Sequence, residues 1–234
     1  MERNETVHPP ILGTLTSTQM AELQRQFDQG DRTSFDVHID SYGLERVTGE
    51  TVWNWFAADA TDGLAIPVNE DDHTRGPEDA PVTLVVYGDY QCPYTRRALQ
   101  AIARLEHRVG DRFRLIYRHF PLREIHPNAQ AAAELAEAAG ARGKFWEMHE
   151  RLFARQDDLD PFHLSAYATE LGIADEENDW QVEAGHRYAD RVEEDLQGGV
   201  KSGVGGTPTI YVNGWRHRGA HDEATLQRAI ELAG

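Results

Sequence analysis

The chain holds a single cysteine, Cys92, in 234 residues. One thiol excludes a disulfide framework within the chain and a Cys-rich zinc site. Lysine is almost as scarce, with Lys144 and Lys201 standing among arginines. Forty acids oppose 23 basic residues, giving a net charge of −17. That balance argues against nucleic acid or an anionic membrane surface as partner, because both need clustered positive charge. No apolar run approaches the ~18 residues of a membrane-spanning helix. The stretch from Met1 to Thr6 has neither a basic start nor an apolar core, so no secretory signal is read there. With one cysteine, this predicts a reducing, cytoplasmic setting. What the chain does have is a globular composition, 40% hydrophobic with five tryptophans, sufficient for a full core.

Residues 1–65 read as an N-terminal extension. Thr16 to Gln19 could open a short amphipathic helix carrying Met20, Leu23 and Phe27. Phe35, Val37 and Ile39 alternate as in a half-buried strand. The aromatic run from Val52 to Phe56 suits an anchor onto the domain that follows or a docking point for a partner. Residues 66–81 are polar and rich in turn formers, and read as a linker or boundary. From Val82 the pattern becomes regular. Val82 to Tyr87 is a continuous apolar strand, and Pro93 to Val109 a helix with Leu99, Ile102, Ala103 and Leu105 inward. Phe113 to Phe120 is a second strand. Helical patterns follow over Asn128–Ala139, Phe145–Phe153, Pro161–Leu171 and Trp180–Gln197. Pro208 to Val212 is a strand, Asn213-Gly214 a hairpin turn, and Trp215 to Arg218 the return strand. Asp222 caps a closing helix to Leu232. The order implies an α/β domain over 82–234, a small mixed sheet with an all-helical insertion at about 123–198.

Cys92 stands at the strand-to-helix junction, followed by Pro93, a residue favoured at the first helical position. A thiol there faces the positive end of the helix, which predicts an exposed sulfur with a depressed pKa; the alternative is a small buried hydrophobe, as free cysteines often are. Arg96 and Arg97 in the first turn oppose the helix dipole, so an anion is expected to compensate, either the Cys92 thiolate or a bound carboxylate. Asp89 is close enough to act against the helix effect. A second feature is Gly205-Gly206-Thr207-Pro208, where a proline enters a buried strand. On its own this reads as an ordinary trans proline, since cis bonds are rare.

Several motifs in order resemble the DsbA-like branch of the thioredoxin superfamily, including the domains fused behind sodium/proton antiporters. They are Asp72-His73, Gly76-Pro77, Ala80-Pro81-Val82, Tyr87-Gly88-Asp89-Tyr90-Gln91-Cys92-Pro93-Tyr94 and Arg118-His119-Phe120-Pro121-Leu122. The match continues through Gly143-Lys144-Phe145-Trp146-Glu147-Met148-His149 and Gly203-Val204-Gly205-Gly206-Thr207-Pro208-Thr209. The resemblance implies a thioredoxin-like fold with a cis Thr207–Pro208 bond lying against the Cys92 sulfur. Cys92, Thr95 and Pro208 then form the catalytic group, with Tyr94 and Thr95 at its rim. Pro93, Tyr94, Arg96 and Thr207 meet the substrate, Thr207 by strand pairing of its backbone.

Two departures matter. The resolving cysteine is replaced by Thr95, and Val86 stands six residues before Cys92, where many relatives bury a carboxylate. Without a deeper thiol, that acid has no proton to accept and would be costly to bury. Three readings follow. Cys92 could form mixed disulfides with glutathione, another small thiol or a protein, with Thr95 O–H donating to the thiolate. The domain could bind a peptide or small ligand without redox chemistry. Or it could host a glutathione-dependent transfer or isomerisation, as kappa-type transferases do. No bound cofactor and no metal site are expected. His217 and His221 straddle a strand end and read as solvated. His119 either tunes the site or is structural.

Overall fold

The computed structural model describes residues 34–35, 47–48, 63–174 and 180–234. The helix expected near Thr16 and the aromatic run Val52–Phe56 lie outside these residues. Of the strand expected from Ser34 to Ile39, β1 (Ser34–Phe35) is described, and it pairs antiparallel with β2 (Val47–Thr48).

The main sheet has five strands: β3 (His73–Arg75), β4 (Val82–Gly88), β5 (Phe113–His119), β6 (Thr209–Val212) and β7 (Trp215–Arg216). Their spatial order is β3-β5-β4-β6-β7. β4 and β5 run parallel, and the remaining pairs are antiparallel. The parallel pair is joined by α1 (Pro93–Val109), the crossover such strands require. β4 is central and covered on both faces, which is why its sequence is nearly unbroken apolar. The β6–β7 hairpin turns through Asn213 (φ 47°) and Gly214 (φ 86°), the two positive-φ positions that Asn-Gly supplies at low cost.

The other helices are α2 (Ala129–Gly140), α3 (Phe145–Ala154), α4 (Pro161–Glu170), α5 (Trp180–Lys201) and α6 (Glu223–Ala233). One sheet face, with Leu84, Val86, Leu115, Tyr117 and Ile210, packs into a core with Ile102 and Leu105 of α1, Met148 and Leu152 of α3, and Leu226 and Ile230 of α6. The other face, with Val85, Tyr87, Ile116 and Tyr211, is covered by Leu196 of α5 and by Leu64 and Val68. α5 approaches closely through Gly199, where a Cβ would come within 2.6 Å of the Phe120 ring. On α1 the inward residues are Ala98, Leu99, Ala101, Ile102 and Leu105. Ala103 is only partly covered.

Residues 66–81 are not a linker. They carry β3, paired antiparallel with β5 from His73 opposite Tyr117 to Arg75 opposite Leu115. They are also held by a buried ion pair. Arg118 Nε and Nη2 donate to the two Asp72 carboxylate oxygens at 2.7 and 2.8 Å, and both side chains are almost fully enclosed. The same guanidinium donates to the carbonyls of Ile66 and Pro67 and to Tyr87 Oη. Burial works against the charge, but Asp72 and Tyr87 outweigh it and raise the Arg118 pKa further. Polarity in this segment marks a buried polar anchor, which composition alone cannot distinguish from a solvated spacer.

Candidate functional site around Cys92

Cys92 occupies the N-cap of α1, with extended backbone (φ −77°, ψ 116°) and Pro93 following it inside the first turn. Its side chain makes no capping hydrogen bond. The expectation of an exposed sulfur is corrected, because Cys92 is only 3% exposed. A distant loop covers it. The Cys92 S–H donates to the Thr207 carbonyl at 3.2 Å, and the Thr207–Pro208 bond is cis. Thr207 also keeps a buried hydroxyl oxygen without a partner among the described residues. Cys92, Thr207 and Pro208 are therefore brought together from positions 115 residues apart.

Thr95 is not at the rim. It is fully buried, and its Oγ1 accepts from the Asp89 N–H at 3.4 Å. It lies beneath the site because the first turn of α1 carries it round toward the sheet. The rim is formed by Pro93 and Tyr94. Tyr94 is 64% exposed, with the Arg97 guanidinium 5.7 Å from its ring centre. Arg96 is half-buried.

The floor of the site is apolar. Val86 is fully enclosed and sits opposite Tyr117 in the β4–β5 ladder. The Tyr117 hydroxyl is buried without a partner among the described residues, and burial pushes its pKa well above the usual phenol range. Gly88 is needed here, since a Cβ would meet that hydroxyl at 2.7 Å and Thr95 Cγ2 at 2.8 Å.

Sequence reasoning missed two residues that shape this loop. Asp89, read only as a charge near the thiol, is an organiser. Its Oδ1 accepts from Gln91 N–H at 2.7 Å. Its Oδ2 accepts from Leu122 N–H at 2.7 Å and faces His126 Nδ1 at 2.8 Å. Gln156, in the loop after α3, donates to the carbonyls of Tyr90 (2.6 Å) and Cys92 (3.0 Å). A glutamine in a helix–helix loop carries no local signal of that role.

Behind the site lies a buried polar network. Glu137 Oε1 is 2.9 Å from both His119 Nε2 and His73 Nε2. Burial pushes this carboxyl upward, yet the two imidazoles prevail and hold it well below the usual carboxylate range. Asp195 accepts from His119 N–H and from Arg191. Tyr90 Oη and His149 Nδ1 are 3.1 Å apart. His119, Glu137 and Asp195 are the described residues whose donor atoms could meet on a metal, lying within 4.8 Å of one another. Glu137 and Asp195 are already committed to His73, His119 and Arg191, while His119 Nδ1 is buried without a partner among the described residues. His217 and His221 are not solvated as expected. Both are partly buried and line a pocket beside Pro208, because the chain after β7 continues alongside β6, with His217 N–H donating to the Ile210 carbonyl.

The fold agrees with a comparison against known proteins. The family model described as Thioredoxin matches residues 68–232. The chain belongs to the thioredoxin family.

Within that family it is 46% identical over 171 residues to the Na(+)/H(+) antiporter NhaA 1 of Salinispora arenicola, covering 73% of this chain and 26% of that protein. It thus spans about a quarter of the length of that curated relative. The crystal structure of a thioredoxin-like oxidoreductase from Silicibacter pomeroyi superposes with a TM-score of 0.62 at 25% identity, covering 70% of this chain and 93% of that one. The thiol-disulfide exchange protein alpha-DsbA2 from Wolbachia pipientis shares the fold, with a TM-score of 0.59, 20% identity and coverage of 71% and 89%. The DsbA-like resemblance of the motifs is therefore matched by a DsbA-like thioredoxin fold. No helix among the described residues is long and apolar enough to cross a membrane.

Proposed function

We propose that this thioredoxin-family domain performs single-cysteine thiol–disulfide exchange, with Cys92 forming a mixed disulfide that an external thiol resolves. The observation that carries this reading is the seat of the sulfur. It lies at the start of α1, 3.2 Å from the Thr207 carbonyl, with Thr95 where a second cysteine would stand. The co-substrate is glutathione or another low-molecular-weight thiol, or a protein disulfide, and no cofactor is held permanently. Thr207 and Pro208 receive the partner's backbone, and Pro93, Tyr94 and Arg96 border it. A cytoplasmic setting suits a chain with one thiol, and relatives that are antiporters suggest a place beside a membrane transporter.

The burial of Cys92 supports a second reading, in which the groove at Thr207 binds a peptide without sulfur chemistry. Intact-mass measurement after exposure to oxidised glutathione separates the two. One glutathione on Cys92 of the folded protein is expected. A folded protein that stays unmodified, where the urea-unfolded chain reacts, would refute the exchange reading and leave the binding one.

A further inference from the structure

The strand polarity brings a basic segment to the Cys92 end of the sheet. Tyr87, near the end of β4, pairs with Thr209 at the start of β6, so β6 begins where β4 delivers Cys92. β7 runs antiparallel to β6 and therefore ends there. The pairing continues past β7, with His217 N–H donating to the Ile210 carbonyl at 2.7 Å. Residues 216–221 thus pass alongside Pro208, adjacent in the chain to the residue that receives the Cys92 S–H.

Between them lies a cavity of about 370 Å³, lined by Pro208, Thr209, Arg216, His217, Arg218, Gly219 and His221. No acid among the described residues lines it, in a chain with 40 acids against 23 basic residues. A roomier cavity beside Arg118, about 550 Å³, has the opposite character, with Asp71, Asp190, Glu193 and Glu194 on its walls. The nearest carboxylate in sequence, Asp222, is turned to cap α6 through Thr225 N–H at 2.9 Å. Arg216 is braced by donating to the Gly203 carbonyl at 3.0 Å, which fixes one edge of its guanidinium. Burial holds His217 and His221 below the usual imidazole range, and for His221 the neighbouring His217 and Arg216 add to it. At neutral pH the two rings are therefore uncharged, the His217 Nε2–H is committed to the Ala220 carbonyl at 3.1 Å, and the cationic character belongs to the arginines.

We propose that this cavity is an anion subsite, built by Arg216 and Arg218 with His221 beside them, that selects a disulfide or thiol bearing carboxylate groups as the partner of Cys92. The inference rests on the exchange reading above and specifies its substrate class. A guanidinium pair matches planar carboxylates bidentately. In the reaction, the Cys92 thiolate attacks one sulfur of the incoming disulfide. One S–S bond forms as another breaks, the departing thiolate takes a proton from water, and no net oxidation occurs. The subsite holds the anionic arm during this exchange.

The test is a charge series on the full chain. Cys92 adduct formation is timed by intact mass with oxidised glutathione (anionic), bis(2-hydroxyethyl) disulfide (neutral) and cystamine (cationic). Each rate is divided by that of the same reagent with the urea-unfolded chain. A net charge of −17 by itself favours cystamine. The subsite predicts the reverse, with oxidised glutathione favoured by about tenfold or more at low salt, shrinking as salt is added. Arg216→Gln with Arg218→Gln should abolish that preference, and the paired Lys substitutions should retain most of it. Equal normalised rates, a preference for cystamine, or a preference surviving the Gln substitutions would overturn the subsite while leaving exchange intact. Failure of all three reagents on the folded protein would overturn exchange, and this inference with it. Should the Gln variant not fold, the wild-type series and its salt dependence decide.

Discussion

Replacing Asp89 by asparagine is the sharpest perturbation of the loop that holds Cys92. The carboxylate is fully enclosed and binds three partners: Gln91 N–H on one oxygen, and Leu122 N–H with His126 on the other. Both backbone bonds are 2.7 Å, short as expected of charge-assisted bonds. An asparagine keeps the shape but turns one oxygen into an NH2 group that faces an N–H. One strong bond is lost, at about 1.5–3 kcal/mol, and a buried donor is left unpaired, at about 1–3 kcal/mol. Some relaxation is certain, so Asp89→Asn should destabilise by about 2–4 kcal/mol in urea unfolding at neutral pH. The loss is local first. Asp89 joins the Cys92 loop to the start of the segment after β5, so the loop should open more often than the whole domain unfolds. Alkylation of Cys92, 3% exposed in the closed form, should accelerate by at least about tenfold, since each 1.4 kcal/mol is a factor of ten. An unfolding free energy within about 0.5 kcal/mol of wild type, with unchanged alkylation, would refute the organiser role. A destabilised protein with unchanged alkylation would make Asp89 a general support of the fold, not of the site.

Asp72→Asn should cost about 3–5 kcal/mol, because it leaves the enclosed Arg118 guanidinium without its carboxylate; a loss under about 1 kcal/mol in chemical denaturation would show that the carbonyls of Ile66 and Pro67 suffice. Acid should weaken the fold through His149. Burial, then Arg75, His119 and His73, lower its folded pKa well below 6.5, so the unfolded chain takes up a proton that the folded one refuses, and stability falls as pH drops through about 6.5. Between pH 7.5 and 5.5 one such group contributes about 1.4 kcal/mol, and His149→Gln should flatten the measured slope by about that amount; an identical slope in the variant would remove His149 as the cause. Thr95→Cys should let the chain close a disulfide between Cys92 and the introduced thiol, detectable as loss of free thiol on mild oxidation, and adding Val86→Glu should give measurable insulin reduction. A folded double variant that remains inert would locate the deficiency in the substrate groove.

The regular part of the chain was readable because its signals are local. Pro93 and Cys92 mark the start of α1, Asn213-Gly214 marks the hairpin, and the apolar run of β4 announces a covered strand. The N-cap at Asp222, accepting from Thr225 N–H, is equally local. Residues 66–81 were misread because their partner, Arg118, is 46 residues from Asp72. Their polarity has the same composition as a spacer. The exposure of Cys92 and Thr95 was misjudged for a related reason. Helix-start chemistry is set by sequence neighbours, whereas cover is set by whatever packs on top.

The strand and helix order, the single thiol at a helix start, and the presence of Thr95 and Val86 in place of a second sulfur or an acid were legible in the chain. These follow from residue identity and short-range periodicity, and no fold can restore a missing sulfur. Tertiary structure alone decided the rest. It closed Thr207 over Cys92, gave Asp89 and Gln156 their grip on the active loop, linked Glu137 to His73 and His119, and set an arginine-lined cavity beside Pro208. Each of these depends on contacts between distant segments, whose geometry comes from sheet order and strand polarity and leaves no periodic trace in the chain.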